Sequence, residues 1–245
     1  MRKGLTVVLT GCCIALFCTL APAAERVENK EAQKEYDTHE FPLVYFSDFS
    51  KSADEWKPMD PGAWDIIEDQ GRKVFASLKD SNYKPEVRSP ENIAILEEIV
   101  VTDFVIEAEL KSTQENYGHR DMVIIFNYQD PSHYYYTHIA PAPDTDPHAN
   151  SIFIVNGEPR KSIATRRNNG TAWKDDTYHR VKVERDTESG RIDVYFDDME
   201  TPILRAEDLT FTWGQVGVGS FDDTGNIASF KVWGNKKSME SKVDN

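Results

Sequence analysis

The sequence predicts an all-β protein, a sandwich of two packed antiparallel sheets, and three observations carry that prediction. Between residues 41 and 234, short runs rich in Val, Ile, Phe and Tyr are punctuated by Gly, Pro, Asn and Asp clusters every roughly 8–15 residues. Several of these runs alternate apolar and polar side chains with period two, as a half-buried strand does. No amphipathic pattern of three helical turns interrupts them. A stretch of this length with repeated strand-and-turn signals fits one β domain, with no internal repeat.

The chain of 245 residues opens with Arg2 and Lys3, an uncharged run from Leu5 to Leu20, then Ala21-Pro22-Ala23. A basic start, an apolar stretch and a small-x-small end predict a secretory signal peptide over residues 1–23. Leu9-Thr10-Gly11-Cys12 has the form of a lipoprotein box, but the apolar run continues well past Cys12, so a periplasmic or extracellular soluble protein is the expectation. Removing 23 residues leaves 222, and losing two positive charges takes the formal net charge from −14 to −16. The three cysteines, Cys12, Cys13 and Cys18, leave with the peptide. The mature chain is thus expected to lack disulfides, thiolate metal sites and a cysteine nucleophile. Its charge excludes a nucleic-acid partner, and no further apolar run is long enough to span a bilayer.

Residues 24–40 read as a charged linker, residues 41–234 as the sandwich and residues 235–245 as a polar tail. In 104–110, Phe104, Ile106, Ala108 and Leu110 share one face, opposed by Glu107, Glu109 and Lys111. In 191–197, Ile192, Val194 and Phe196 oppose Arg191, Asp193, Tyr195 and Asp197, and Asp186-Thr187-Glu188-Ser189-Gly190 forms the hairpin turn before them. Met122 to Phe126 is apolar on both faces, which predicts a central strand whose second face is covered or lines a groove.

The stretch 117–150 holds four of the six histidines and five tyrosines. Asp130-Pro131-Ser132-His133 reads as a four-residue hairpin loop, pairing Gln129 with Tyr134, Asn127 with Tyr136 and Ile125 with His138. One face then carries Asp121, Asn127, Gln129, Tyr136 and His138, and the other Met122, Ile124, Phe126, Thr137 and Ile139.

Three segments carry a family resemblance: Ser47-Asp48-Phe49 with Trp56 and Trp64 after it, the pair 178–186 and 191–198, and the run from Trp213 to Asp223 with its closing Phe230-Lys231-Val232-Trp233-Gly234. Together they resemble the concanavalin A-like (laminin-G-like) jelly rolls, most closely the bacterial 3-keto-disaccharide hydrolase domains related to family 16 glycoside hydrolases. The resemblance implies a jelly-roll sandwich with a concave sugar groove. It also implies cleavage of glycosidic bonds in a neutral or keto-oxidised oligosaccharide. The alternatives are a non-catalytic carbohydrate-binding module and a polysaccharide lyase of the same fold. Glu184-Arg185-Asp186-Thr187-Glu188 has the carboxylate spacing of the family 16 active strand, but its last two carboxylates fall in a turn, where a rigid pair is hard to hold.

In such a groove, His138 is the candidate acid or base, Asp121 its orienting charge and Tyr136 a further catalytic candidate. Arg88, His119, Asn127, Gln129, His148 and Arg160 are candidate substrate contacts, the two arginines for a carboxylate or hydroxyl pair. No cofactor is required on this reading. Asp222 and Asp223, with the Asn226 region, are candidates for a structural calcium. Arg88, Arg160, Arg166 and Arg167 would draw in an acidic sugar if the fold collected them into one patch.

Overall fold

A computed structural model describes residues 40–142 and 150–237. The expectations for the signal peptide, the linker up to residue 39, His148 and the tail from residue 238 lie outside the described residues. Fifteen strands are present among them: β1 (Leu43–Ser47), β2 (Trp56–Pro58), β3 (Trp64–Asp69), β4 (Arg72–Ser77), β5 (Asn92–Ser112), β6 (Val123–Asp130), β7 (His133–His138) and β8 (Ser151–Asn156). The remainder are β9 (Lys161–Ser162), β10 (Ala164–Arg167), β11 (His179–Arg185), β12 (Arg191–Phe196), β13 (Leu204–Glu207), β14 (Gly214–Ser220) and β15 (Gly225–Lys236). One 3-10 turn, Pro61–Ala63, is the single helical element among the described residues.

The 21-residue β5 belongs to both layers. Its first half pairs with β2 and β14, and β14 continues through β6, β7, β8 and β9 to make a front sheet. Its second half pairs with β11 and β15, within a back sheet that also holds β1, β3, β4, β12, β13 and β10. The handover falls between Val101, which still faces Gly214, and Phe104, which faces Arg185. All pairings are antiparallel.

The predicted alternation places the core. Phe104, Ile106, Ala108 and Leu110 of β5 meet Ile124 and Phe126 of β6, Val181 and Val183 of β11, and Phe230 and Val232 of β15 in one buried cluster between the sheets. Burying this apolar surface on both inner faces is what selects the sandwich. On the opposite face of β5, Lys111 is buried as well, its amine 2.6 Å from Asp69 and 2.9 Å from Asp176.

The β6–β7 hairpin departs from the predicted register. Its turn is two residues, Pro131-Ser132, closed by Asp130 opposite His133, and the Asp130 carboxylate accepts from the Ser132 N–H at 2.8 Å. Beyond that turn the pairing shifts, so Phe126 faces Tyr135 and Ile125 faces Tyr136. Three residues of β6, 127–129, therefore stand against Tyr134 alone, in a bulge where Asn127 takes a left-handed φ of 47°. Gly214 makes room for it, since a Cβ there would lie 2.2 Å from the Asn127 carbonyl carbon. The inward set Met122, Ile124 and Phe126 is unaffected, but side chains after the bulge change face.

The outer face of the front sheet is covered. Ile93, Ile95, Val123, Ile125, Tyr128, Tyr134, Tyr136, Phe153 and Val155 form a second buried cluster there, with Met59 and Val87 packed on it. Val87 belongs to the segment 78–91, which crosses this face as a strap. Asn92 Nδ2 donates to its Lys79 carbonyl at 3.1 Å, and its Arg88 carbonyl accepts from the Arg160 N–H at 2.9 Å.

Candidate functional site

Antiparallel order brings the start of β5, the end of β14, the start of β6, the end of β7 and the start of β8 to one edge of the front sheet, through Ser220 opposite Asn92, Gly219 opposite Val123 and His138 opposite Ser151. The segments that enter and leave these strand ends carry Asp121, His138, Arg88, Phe221, Asp222, Asp223 and, just before β9, Arg160.

Asp121 is completely buried. Its oxygens accept from the Phe221 N–H at 3.0 and 3.2 Å, and His138 Nε2 lies 3.5 Å from its Oδ2. The Asp121 N–H in turn donates to Asp223 Oδ2 at 2.8 Å, while Tyr117 donates to Asp223 Oδ1 at 2.6 Å. Burial, with the neighbouring Asp223 charge added to it, pushes the Asp121 carboxyl well above the ordinary aspartate value, and the Phe221 N–H opposes this only in part. Asp223 is raised too, by burial first. The site thus holds a carboxyl that resists ionisation against a histidine ring.

Arg160 is 5% exposed, and its guanidinium lies 4.1 Å from the Phe221 ring centre and 4.7 Å from that of Phe153. Nη1 donates to the Tyr136 hydroxyl at 2.8 Å. Nε and Nη2, the two donors that form the side-on fork of an arginine, have no protein partner among the described residues. A buried N–H without a partner is costly, and sites of molecular recognition are where such groups are tolerated. Arg88, on the strap, is exposed and 5.8 Å from the Phe221 ring centre, so Phe221 is contacted by two arginines and, edge-on at 6.2 Å, by His138.

The other sequence candidates fall elsewhere or take other roles. Tyr136 is buried under the strap, stacked at 5.3 Å on Phe153, and burial raises its hydroxyl beyond any use as a base. It positions Arg160. Asn127 sits in the bulge and Gln129 is exposed, donating to the Trp213 carbonyl at 3.2 Å. Both lie at the far end of β6, six and eight residues along from Asp121, or roughly 20 and 26 Å at the usual rise per strand residue. His119 is exposed and packs edge-on against Tyr117 at 6.1 Å. His148 lies outside the described residues. Phe221, Phe153 and Tyr117 belong to the site and went unread, because a lone aromatic beside a strand end carries no distinctive pattern.

The acidic group is a poor fit for calcium. Carboxylate oxygens of Asp121, Asp222 and Asp223 come within 4.8 Å of one another. Yet Asp121 and Asp223 already accept N–H and O–H donors, the Arg160 charge acts on both Asp121 and Asp222, and calcium requires six to eight oxygens. Asn226 points away, donating to Asp69 at 3.1 Å. The carboxylates at 184–188 do not make a catalytic row either. Glu184 is held by Lys182 and Tyr195 at 2.7 and 2.8 Å, and Asp186 accepts from the Glu188 and Ser189 N–H groups that shape the turn. Arg166 and Arg167 sit on β10, paired to β13 in the back sheet, so the four arginines do not form one patch.

No family model matches the sequence, and no curated protein matches it. Solved structures match the fold. A protein of unknown function with a galectin-like fold from Bacillus subtilis aligns with a TM-score of 0.54 at 13% identity, covering 80% of this chain and 97% of that one. Peanut lectin aligns at 0.51 and 13% identity, covering 80% and 98%. The carbohydrate-binding module CBM66 from Bacillus subtilis aligns at 0.50 and 18% identity, covering 71% and 91%. At these identities the likeness speaks for architecture, and the architecture is that of a lectin-like, concanavalin A-like β-sandwich.

Proposed function

We propose that this chain binds carbohydrate at the front-sheet edge, with Arg160 as the central donor, Asp222 as an acceptor and Phe221 as an apolar wall. The observation that carries this reading is the buried Arg160 fork, held flat by two rings and by Tyr136, with Nε and Nη2 unmatched among the described residues. A fork beside carboxyl oxygens suits a pair of sugar hydroxyls, which donate and accept at once. The lectin and carbohydrate-binding module among the fold's neighbours agree with it. The ligand class is neutral or keto-oxidised, since the chain as a whole is strongly acidic.

A panel of neutral and uronate oligosaccharides, read by calorimetry at low and high salt, tests this. Salt-insensitive binding to a neutral sugar, lost in Arg160→Met with the fold retained, is expected. Tight, salt-sensitive binding to a uronate polymer, or full binding by Arg160→Met, would overturn it.

Catalysis of glycosidic cleavage is the second reading, favoured by one observation: the raised Asp121 carboxyl lies 3.5 Å from His138 Nε2, the pairing of groups that proton transfer uses. Product release from a bound oligosaccharide that disappears in His138→Ala would establish it. The sealing of Asp121 from solvent places binding first.

A further inference from the structure

We propose that the site receives the end of a glycan chain and not its interior. This rests on the carbohydrate reading and specifies how a polymer would approach. In a sheet that binds a polymer along its length, the outer face has to be open from one edge to the other. Here it is closed. Val123, Ile125, Tyr134, Tyr136, Phe153 and Val155 point outward from β6, β7 and β8, yet all are at most 1% exposed, with Val87 of the strap packed on their cluster.

The strap is fixed across the sheet, not laid loosely on it. It is bonded to Asn92 at one side of the sheet and to the Arg160 N–H at the other, with the Glu91 N–H donating to the Phe221 carbonyl at 2.7 Å. Asn82 adds two hydrogen bonds to the Asp60 carboxylate, at 2.8 and 3.0 Å. Swinging it aside would expose that whole aromatic cluster, at a cost of about 25 cal/mol for each Å² of apolar surface.

What stays open lies beyond the strap. Arg88 and Asp222 are exposed at the strand-end edge, beside Phe221 and the Arg160 fork. A second groove of about 260 Å³, lined by Lys57, Met59, Ile95, Glu97, Tyr128, Pro131 and Gln215, lies at the opposite ends of the same strands. The covered cluster separates the two, so one chain cannot run from one to the other. A sugar at the Arg160 edge therefore enters terminal residue first, with the rest of its chain directed to solvent.

The experiment measures whether binding follows chain ends or chain mass. Cello-, xylo- and malto-oligosaccharide length series are titrated, and the matching soluble polymers are compared before and after limited cleavage by an endo-acting glycanase. The expected result is an affinity per chain that levels off by the trisaccharide. Binding capacity should also rise in proportion to the new ends while polymer mass stays constant. Affinity that climbs about tenfold or more with further length, or capacity that tracks mass, would overturn end recognition while leaving carbohydrate binding intact. Binding to none of the series would overturn both.

Discussion

Lys111 and Arg160 are both buried cations on the outer face of a sheet, and they differ in what they leave unsatisfied. Lys111 on the back sheet is matched on every side: Asp69 at 2.6 Å, Asp176 at 2.9 Å and the Tyr178 ring at 5.1 Å. The Arg160 guanidinium at the front-sheet edge donates through Nη1 to Tyr136, and its Nε and Nη2 have no partner among the described residues. A charge whose partners all come from the fold belongs to the fold's stability. A charge held rigid with donors left over is preorganised for something outside the chain. Burial alone would have classed the two together; the inventory of partners separates them.

The largest expected effect breaks the back-sheet member. Lys111→Met leaves Asp69 half-sealed without its cation and should cost about 3 kcal/mol, seen as a lower urea midpoint at unchanged slope. Glycan binding should not change in the folded variant. A loss below about 1 kcal/mol would mean that the Lys111 network is solvated ornament and that the contrast fails on its structural side.

The reciprocal substitution is smaller in stability and larger in binding. Arg160→Met removes one hydrogen bond and strands the Tyr136 hydroxyl, a loss of about 1–2 kcal/mol. Binding to any glycan that the intact protein recognises should fall by about tenfold or more, consistent with one charge-assisted pair of hydrogen bonds. Arg160→Lys keeps the charge without the fork and should recover stability better than affinity. Equal recovery of both would point to charge, not fork geometry, as the relevant property.

Acid separates the two regions by sign. Against the burial that would raise it, hydrogen bonds from Lys111, Tyr178 and Asn226 hold Asp69 below the ordinary aspartate value. Its contribution is present above the unfolded-state pKa and is lost as pH falls through the folded one. Asp121 is raised by burial and by Asp223, so its contribution is present below the unfolded-state pKa and is lost as pH rises through the folded one. Asp121→Asn should therefore raise the melting temperature at neutral pH, with a gain that shrinks to nothing in acid. Asp69→Asn should lower it at neutral pH, with a deficit that shrinks in acid. Melting curves between about pH 3 and pH 8 check both slopes, and a common sign would end the comparison.

How much of this was legible in the sequence depends on periodicity. The period-two runs gave the sandwich and its inward residues, because alternation is the direct trace of a sheet with one buried face. The same signal grouped Asp121 with His138 on one face, and a pairing shift of two residues, an even number, leaves that grouping intact on the side of the bulge away from the turn. It failed beyond Phe126. A bulge depends on Asn127 adopting a left-handed φ against a glycine from a distant strand, and no local pattern encodes Gly214 approaching Asn127. The strap was equally hidden. Segment 78–91 has neither helical nor strand period, and its outward-facing targets read as an open aromatic groove until Val87 is seen lying on them.

The smallest expected effect tests that boundary. Gln129 was grouped with Asp121 and His138 by strict alternation, whereas the bulge leaves it exposed at the far end of β6, with one hydrogen bond to the Trp213 carbonyl. An exposed hydrogen bond of this kind is worth little, because water replaces it on both partners. Gln129→Ala should shift stability by less than about 0.5 kcal/mol, as surface substitutions generally do. It should also leave affinity, and the dependence of affinity on chain length, where they were. The alternation-based grouping makes the opposite demand: a side chain on the same face as His138, two strand repeats from Asp121's neighbours, would contact the second or third sugar of a bound chain. A measurable loss with longer oligosaccharides but not with the disaccharide would therefore restore the open groove and remove both the bulge-based placement and the end-on approach.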